Sequence, residues 1–411
     1  MTLRSKAGLL ADRHVLIIVE NLSVPFDQRV WRECSALRQA GVEVTVISPK
    51  GLGRDSAWKE IINGVTILRY PIHQSTGGFL SYGLEYLGAL LFSFGLACYA
   101  CIRRRVQVIQ ICNPPDLLIL ATLWFRLCGI PIIFDQHDLS PEIYADQQGT
   151  EGRHRVILRI LHWFEQLTYR FSDVVMVVND SCRTIALNRG KRSPETVFVV
   201  RNGPTREAVD KARASDSLKS GQRFLLGFVG MMGPQEGIDG LLRILRALVL
   251  GRGRTDVHLR IVGGGTVLDA MRSYARELGV HSFVTFTGPG THDQALECIA
   301  TADVCICPDP KTPLSDKCSM VKVVEYMSVG RAFVAFDLDE VRCMAGPAGL
   351  YAEPGDEEQF ADHIERLLDD ASLRNEMGRV GRELALRSLT WDSAMQRLSE
   401  AYDMAFSLCR R

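Results

Sequence analysis

Apolar positions along this chain come in short unbroken runs, separated by amphipathic stretches long enough to be helices. The first run, RHVLIIVE around His14, has no polar alternation, as expected of a strand covered on both faces. Positions 28–40 then carry a helical period that stops at Gly41, and 42–48 is apolar again. Further strands are predicted at 64–69, 106–112, 131–135, 173–178 and 196–200, mostly with helix-length spacers between them. This alternation specifies a mostly parallel, doubly wound α/β sheet. The stretch TREAVDKARASDSLKSGQ at 205–222 has too few large apolar residues for a core strand and reads as a linker. A second series follows at 224–229, 257–262, 283–286, 304–307 and 332–336, so the sheet pattern occurs twice. The predicted domains are 1–204 and 223–390. In the last segment Ala394, Leu398, Ala401, Met404 and Ala405 recur at helical intervals.

One segment breaks the pattern. Positions 86–102 are apolar throughout and end on Arg103, Arg104 and Arg105, at the short edge of a membrane span. Strands on either side at crossover spacing favour a buried helix of an α/β domain, with a true span and a helix partly exposed to the bilayer surface as the alternatives. Near the start, Arg4 and Lys6 are followed only by a short Leu-Leu before Asp12, so a signal peptide is not expected and the cytoplasm is the expected compartment. With 48 basic and 48 acidic residues the chain has no net field for nucleic acid. Its twelve cysteines are scattered through apolar segments and read as reduced core thiols. Cys98 with Cys101 and Cys305 with Cys307 lack a second pair or a His at metal spacing, so no metal site is expected.

Ligands of open parallel sheets bind at the carboxyl ends of the strands, and candidate chemistry concentrates in those loops. After the first strand, Asp27 and Arg29 lie near a helix start; Arg29 suits a phosphate or acceptor group, and the plainer reading makes Asp27 an N-cap. The loop FDQHDLSPE gathers Asp135, His137, Asp138 and Glu142, with His137 the sharpest candidate because imidazole can bond a hydroxyl or phosphate and titrates near neutrality. In the second half Gly230, Gly233 and Gly237 precede a helix, Gly263, Gly264 and Gly265 follow the next strand, and Thr287 with Gly288 follows a third. Three such loops on one sheet edge point to a nucleotide. Ser319, Met320 and Val321 open a further helix, where Lys322 adds charge and Glu325 lies one turn on. Glu325 suits the two hydroxyls of a ribose; an exposed helical ion pair between Lys322 and Glu325 is the alternative.

Taken together, PFDQRVWRE, NPPDLLIL, FDQHDLSPE, VVRNGP, GFVGMMGPQEGIDGLL, IVGGG, FTG and DKCSMVKVVEYMSVGRAFVAFDLDEVR resemble glycosyltransferase family 4, retaining enzymes of the GT-B fold, in a branch making bacterial surface polysaccharides. The resemblance implies two Rossmann-like domains facing a cleft, with helix 391–411 crossing back to the first. It also implies a metal-independent reaction with a nucleotide diphosphate sugar as donor and a glycan or lipid-linked acceptor, at the cytosolic membrane face. By the same likeness Glu325 matches the second Glu of Glu-x7-Glu, which binds the donor ribose, and His137 matches the loop histidine beside the donor sugar. Ser319 to Lys322 look like the phosphate and sugar site, and Thr287 and Gly288 lie where the base is recognised.

Two departures stand out. The first Glu of Glu-x7-Glu falls on Lys317, and the Arg and Lys that usually grip the diphosphate fall on Met231 and Glu236. Lys322, Arg29, Lys317 and helix N-termini are the remaining candidates to neutralise it. A nucleotide-sugar epimerase of the same fold and a non-catalytic nucleotide-sugar-binding subunit are the rival readings. A Rossmann dehydrogenase is disfavoured, because neither half has GxGxxG after its first strand with an acidic residue at the required distance.

Overall fold

A computed structural model of the protein describes residues 13–51, 55–71 and 79–409. The reading of Arg4 and Lys6 lies outside them. The chain forms two compact units, residues 1–200 with 394–411, and residues 201–393.

The first unit is built on strands β1 (His14–Ile18), β2 (Glu43–Pro49), β3 (Lys59–Ile62), β4 (Val65–Tyr70), β5 (Val108–Cys112), β6 (Ile132–Gln136), β7 (Val174–Val177) and β8 (Val197–Val199). They lie in the order β3-β4-β2-β1-β5-β6-β7-β8, all pairs parallel except β3 with β4. Every residue of β1, β5, β6 and β7 is buried, which explains the unbroken apolar runs. Strand β3 was not expected. It is a partly exposed edge strand, KEII, whose charges suit an open edge, and it turns into β4 through Asn63 and Gly64, both at positive φ.

The helix Phe79–Arg103 is the crossover from β4 to β5. It packs along β1, β2 and β4. Both strands it joins lie in one sheet, so it runs beside that sheet. It is not a buried helix: only 22% of its apolar window is covered. The covered side carries Ala89, Ser93, Ala97 and Ala100, a small-residue stripe that lets the helix approach the sheet closely.

The second unit holds β9 (Phe224–Val229), β10 (Val257–Val262), β11 (Val284–Phe286), β12 (Val304–Cys307), β13 (Phe333–Phe336) and β14 (Gly349–Ala352). Their order is β11-β10-β9-β12-β13-β14 and every pair is parallel. Strand β14 was also not expected; it is short and adds only one side of pairing, to β13. Segment 205–222, read as a linker, carries the helix Arg206–Lys211 and packs on this unit, with Ser215 N–H donating to Thr301 Oγ1 at 2.9 Å. The final helix Trp391–Leu408 rejoins the first unit from Ala394 onward. There Arg13 lies over the Phe406 ring and the Tyr402 hydroxyl, fully buried, donates to Gln110 Oε1.

In each sheet the strand order reverses beside the first strand of the unit, at β1/β5 and at β9/β12. Loops leaving such neighbouring strands diverge and leave a crevice at their carboxyl ends. That geometry sets where to look for chemistry.

Candidate active site

In the first unit the crevice is floored by a buried charged network. Asp27 caps the helix Gln28–Gln39, its carboxylate accepting from Val30 N–H at 3.0 Å. Within the first turn, Arg29 points inward. Its Nη2 and Nε reach Asp135 at 2.6 and 3.2 Å, Nη1 donates to the Val200 carbonyl at 2.8 Å, and Nε lies 3.3 Å from Glu33. Arg29 is therefore an internal ion that holds the end of β6 to the end of β8, and its expected role on a phosphate or acceptor is corrected. The guanidinium is bound from within through Nε, Nη1 and Nη2 and its side chain is only 6% exposed, so its charge is compensated before any ligand arrives.

Asp135 is the hub. Besides Arg29 it bonds His137 Nε2 at 2.7 Å and Gln110 Nε2 at 3.2 Å, and Gln110 in turn donates to Glu33 at 2.7 Å. Burial alone would raise the Asp135 pKa, but Arg29 and His137 together hold it well below the usual carboxylate range. Glu33 goes the other way, raised by burial and by the Asp135 charge despite Arg29. Burial would lower His137, yet the Asp135 charge and hydrogen bond outweigh it and the imidazole is raised. The His137 side chain is 15% exposed.

Asn113, in the NPPD turn after β5, fixes that loop. Its side-chain carbonyl accepts from His137 N–H at 2.8 Å and Asp138 N–H at 3.3 Å, while its amide donates to the Asp138 carbonyl and to Asp116. Sequence reasoning quoted this motif without giving Asn113 a role. Asp138, beside His137, has its carboxyl pKa raised by burial. Glu142 is corrected from the acceptor side: Arg189 takes both its oxygens, at 2.8 and 3.2 Å, and also holds Glu165. Cys112, Asp135 and His137 lie close enough to share a cation. Burial and the acids around it hold the Cys112 thiol well above its ordinary pKa, and Arg29 already claims Asp135, which fits a metal poorly.

In the second unit the glycines are needed mainly by the loops themselves. A Cβ on Gly263 would stand 1.8 Å from the Gly230 carbonyl, and on Gly265 2.2 Å from that of Met232, so the loops after β9 and β10 touch backbone to backbone. Gly264 abuts Pro289, and a Cβ on Gly233 would meet the Gln235 side chain. The expected close approach to a diphosphate is thus, at Gly263 and Gly264, an approach to protein. Thr287 donates to the Gly288 carbonyl at 2.9 Å, and Gly288 bridges to Gly263, tying the third loop to the second.

The helix Val321–Val329 starts at the crevice with Met320 as a cap that offers no side-chain hydrogen bond. Val323 and Val324 N–H donate to the Met320 carbonyl at 2.9 and 3.3 Å, which leaves the N–H groups of Val321 and Lys322 ahead of the first helical bond, and the buried Ser319 hydroxyl has no hydrogen-bond partner among the described residues. Lys322 is tied elsewhere than expected. Its Nζ donates to both Asp309 oxygens, at 2.9 and 2.8 Å, and to Glu236 at 2.6 Å, over the Phe228 ring. Burial would lower the lysine, but Asp309, Cys307 and Glu236 raise it well above its ordinary value, so it is charged and internally compensated. No Lys322–Glu325 ion pair forms. Glu325 Oε1 lies 3.6 Å from His292 Nδ1, in the helix after β11. Met231 is exposed at the end of β9, and Lys317 lies in a single turn ahead of the helix.

Two parallel α/β units, each with polar residues gathered at the reversal point of its sheet, define the architecture of a GT-B glycosyltransferase. Residues 27–203 match the family described as “Glycosyl transferase 4-like domain”, and residues 223–370 the one described as “Glycosyl transferases group 1”. The chain belongs to this family and is a glycosyltransferase of the family 4 type. Alpha-D-kanosaminyltransferase of Streptomyces kanamyceticus is 24% identical over 68% of this chain and 72% of its own. Sucrose-phosphate synthase from Thermosynechococcus elongatus matches in fold with a TM-score of 0.75 at 18% identity, over 96% of this chain and 99% of that one. The Anabaena protein HepE in complex with UDP-glucose matches at 0.68 and 14% identity, over 95% and 99%.

Proposed function

We propose that this glycosyltransferase moves a hexosyl or N-acetylhexosaminyl unit from a nucleotide diphosphate sugar to a glycan or lipid-linked acceptor in polysaccharide assembly, with retention at the anomeric carbon. The observation that carries this reading is the start of the helix Val321–Val329: an uncapped N-terminus beside the unpartnered Ser319 hydroxyl, at the reversal point of the second sheet. N–H groups of a helix start and a hydroxyl suit a phosphate. HepE, whose fold this chain shares, is complexed with UDP-glucose, which supports a nucleotide sugar as donor.

In the proposed step the bond from the anomeric carbon to the β-phosphate oxygen breaks and a bond to the acceptor oxygen forms on the same face. The acceptor proton passes to a phosphate oxygen of the departing nucleotide diphosphate. Helix N–H groups, Ser319 and Lys322 stabilise the charge of that leaving group, so a resident metal is not required. Glu325 holds the ribose, and Thr287 and Gly288 lie by the base.

The compensation of Lys322 by Asp309 and Glu236 favours one second reading, a subunit that binds the nucleotide sugar and leaves it intact. A panel of nucleotide diphosphate sugars in a thermal-shift assay tests both, since a ligand of the folded state raises its melting temperature. Stabilisation by one donor, followed by nucleotide release with a glycan or lipid-linked acceptor, is the expected result. A donor that binds and stays intact with every acceptor supports the second reading, an epimerised sugar without acceptor points to an epimerase, and no stabilisation by any donor overturns the proposal.

A further inference from the structure

The first unit exposes large apolar side chains where an ordinary globular protein shows polar ones. On the helix Phe79–Arg103 the usual arrangement is inverted. Small Ala89, Ser93, Ala97 and Ala100 face the sheet, while Leu87, Leu91, Phe94 and Ile102 are 53, 66, 39 and 85% exposed. Their spacing, 87, 91, 94 and 102, places them along one side of the helix. The same side of the sheet continues the pattern. Crossovers β4 to β5, β5 to β6 and β6 to β7 all advance in one direction across the sheet, so the right-handed rule sets their helices on one face. The turn Asp116–Ala121 packs against both the helix Phe79–Arg103 and the helix His154–Phe171. Just after that turn, Trp124 and Leu127 are 61 and 81% exposed, with the Phe125 ring tilted against that of Phe94 at 5.8 Å. On the helix His154–Phe171, Val156, Ile160 and Trp163 repeat the exposed stripe.

Charge selects the occupant of this face. Arg103, Arg104 and Arg105 are exposed at the end of the first helix, and Arg155 and Arg159 on the last. Glu43 lies 3.4 Å from Arg104, and Asp173 holds Arg126 at 2.9 Å. No acid occurs in 86–102 or 123–127, and the single acid of 154–171, Glu165, is buried against Arg189. A second copy of the chain packed on this face would bring arginines against arginines. A bilayer with anionic headgroups instead meets each feature: apolar side chains at the acyl boundary, tryptophans at headgroup depth and arginines on phosphate.

We propose that this face of the first unit, from Leu87 on the crossover helix through Leu127 to Trp163, docks on an anionic lipid bilayer as a peripheral surface. It stands apart from the transfer chemistry and holds whichever sugar is moved. The test is flotation of the full chain with vesicles of phosphatidylcholine alone, or of phosphatidylcholine and phosphatidylglycerol in equal parts, at low and high salt. The wild type is expected on the mixed vesicles, less so at high salt and little on the neutral ones. Doubly substituted Ile102→Glu, Leu127→Glu protein, altered only at the two most exposed positions, is expected to partition at least ~tenfold more weakly. Its circular dichroism melt and its thermal shift with nucleotide sugars should match wild type, which separates this test from that of the donor reading. Absence of wild-type binding to mixed vesicles overturns the proposal, as does equal binding to neutral ones or unchanged binding of the double variant. A wild-type dimer by light scattering that the same substitutions split into monomers would assign the face to a second copy and overturn it as well.

Discussion

By the family resemblance Glu236 falls where a lysine that grips the diphosphate is expected, and replacing it by glutamine tests how this site handles charge. Its Oε2 lies 2.6 Å from Lys322 Nζ, and Asp309 holds the same ammonium through both oxygens. Two carboxylates against one ammonium leave the cluster net negative before any ligand arrives. A phosphate oxygen that takes the place of Glu236 on Nζ keeps the displaced carboxylate within ~5 Å, and Coulomb's law at an effective dielectric of ~20 gives ~3 kcal/mol of repulsion for one pair of charges. Partial exposure of Glu236, at 18%, and salt reduce that to about 1–2 kcal/mol. Glu236→Gln removes this repulsion while leaving an amide oxygen to accept from Nζ. The dissociation constant for UDP, used as the probe, should then fall by about 5- to 30-fold.

The pH dependence gives a second readout. Burial raises the Glu236 pKa, Lys322 pulls it down, Asp309 adds repulsion, and the net direction is up. A carboxyl whose folded pKa lies above its unfolded one contributes stability that is complete below the unfolded value and is lost as pH rises through the folded one. Anion binding raises it further, so UDP binding to the wild type takes up a proton and weakens with rising pH across that window. In Glu236→Gln this slope should vanish, and the variant should melt no lower than wild type above the window. Isothermal titration calorimetry in buffers of different ionisation enthalpy measures both quantities. Weaker UDP binding by Glu236→Gln, or an unchanged pH slope, would refute the reasoning.

Three further outcomes follow from the first unit and from the candidate residues. Arg29→Ala strands the buried Asp135 carboxylate and should cost about 3–5 kcal/mol, lowering the melting temperature of that unit by roughly 10 °C, whereas Glu33→Gln should cost under ~1 kcal/mol because burial and Asp135 already favour its protonated form; thermal circular dichroism compares them. Asp135→Asn should bring the His137 pKa down, read by NMR titration of the imidazole. The pairing that is fully stabilising below the ordinary histidine pKa, and lost as pH rises through the folded value, should disappear with it. His137→Ala and Glu325→Ala should each lower turnover by ~100-fold or more in protein that melts like wild type, and wild-type rates from both would remove them from the site.

The strands were legible because most are covered on both faces, where only continuous apolar runs survive. Those that escaped, β3 and β14, are edge strands, and an edge strand relaxes that requirement. KEII, two charges followed by two isoleucines, has no buried position and no apolar alternation, and the one local signal for it was Asn63-Gly64, a dipeptide suited to the positive φ angles of a hairpin turn. The crossover helix was legible as a helix but not in its orientation. Its composition is apolar all round, so only the sheet decides that alanines go in and leucines out.

Charged residues were harder to read, because residue type gives charge but not availability. Arg29 looked like a ligand for anions until Asp135, 106 positions away, appeared on its guanidinium, and Lys322 until Asp309 and Glu236 filled the three donors of its ammonium. Partners so distant in sequence follow from strand order, which sets β6 one strand away from β1 and β12 directly beside β9. The consequence for mechanism is a division of labour. Where both conspicuous cations are compensated from within, recognition of an anionic donor shifts to groups that carry no formal charge, the N–H groups at the start of the helix Val321–Val329 and the Ser319 hydroxyl. Such dipolar recognition is directional and loses less to added salt than a lysine exposed to solvent. It also leaves Lys322 in reserve, released toward phosphate only as Glu236 takes up a proton or turns away.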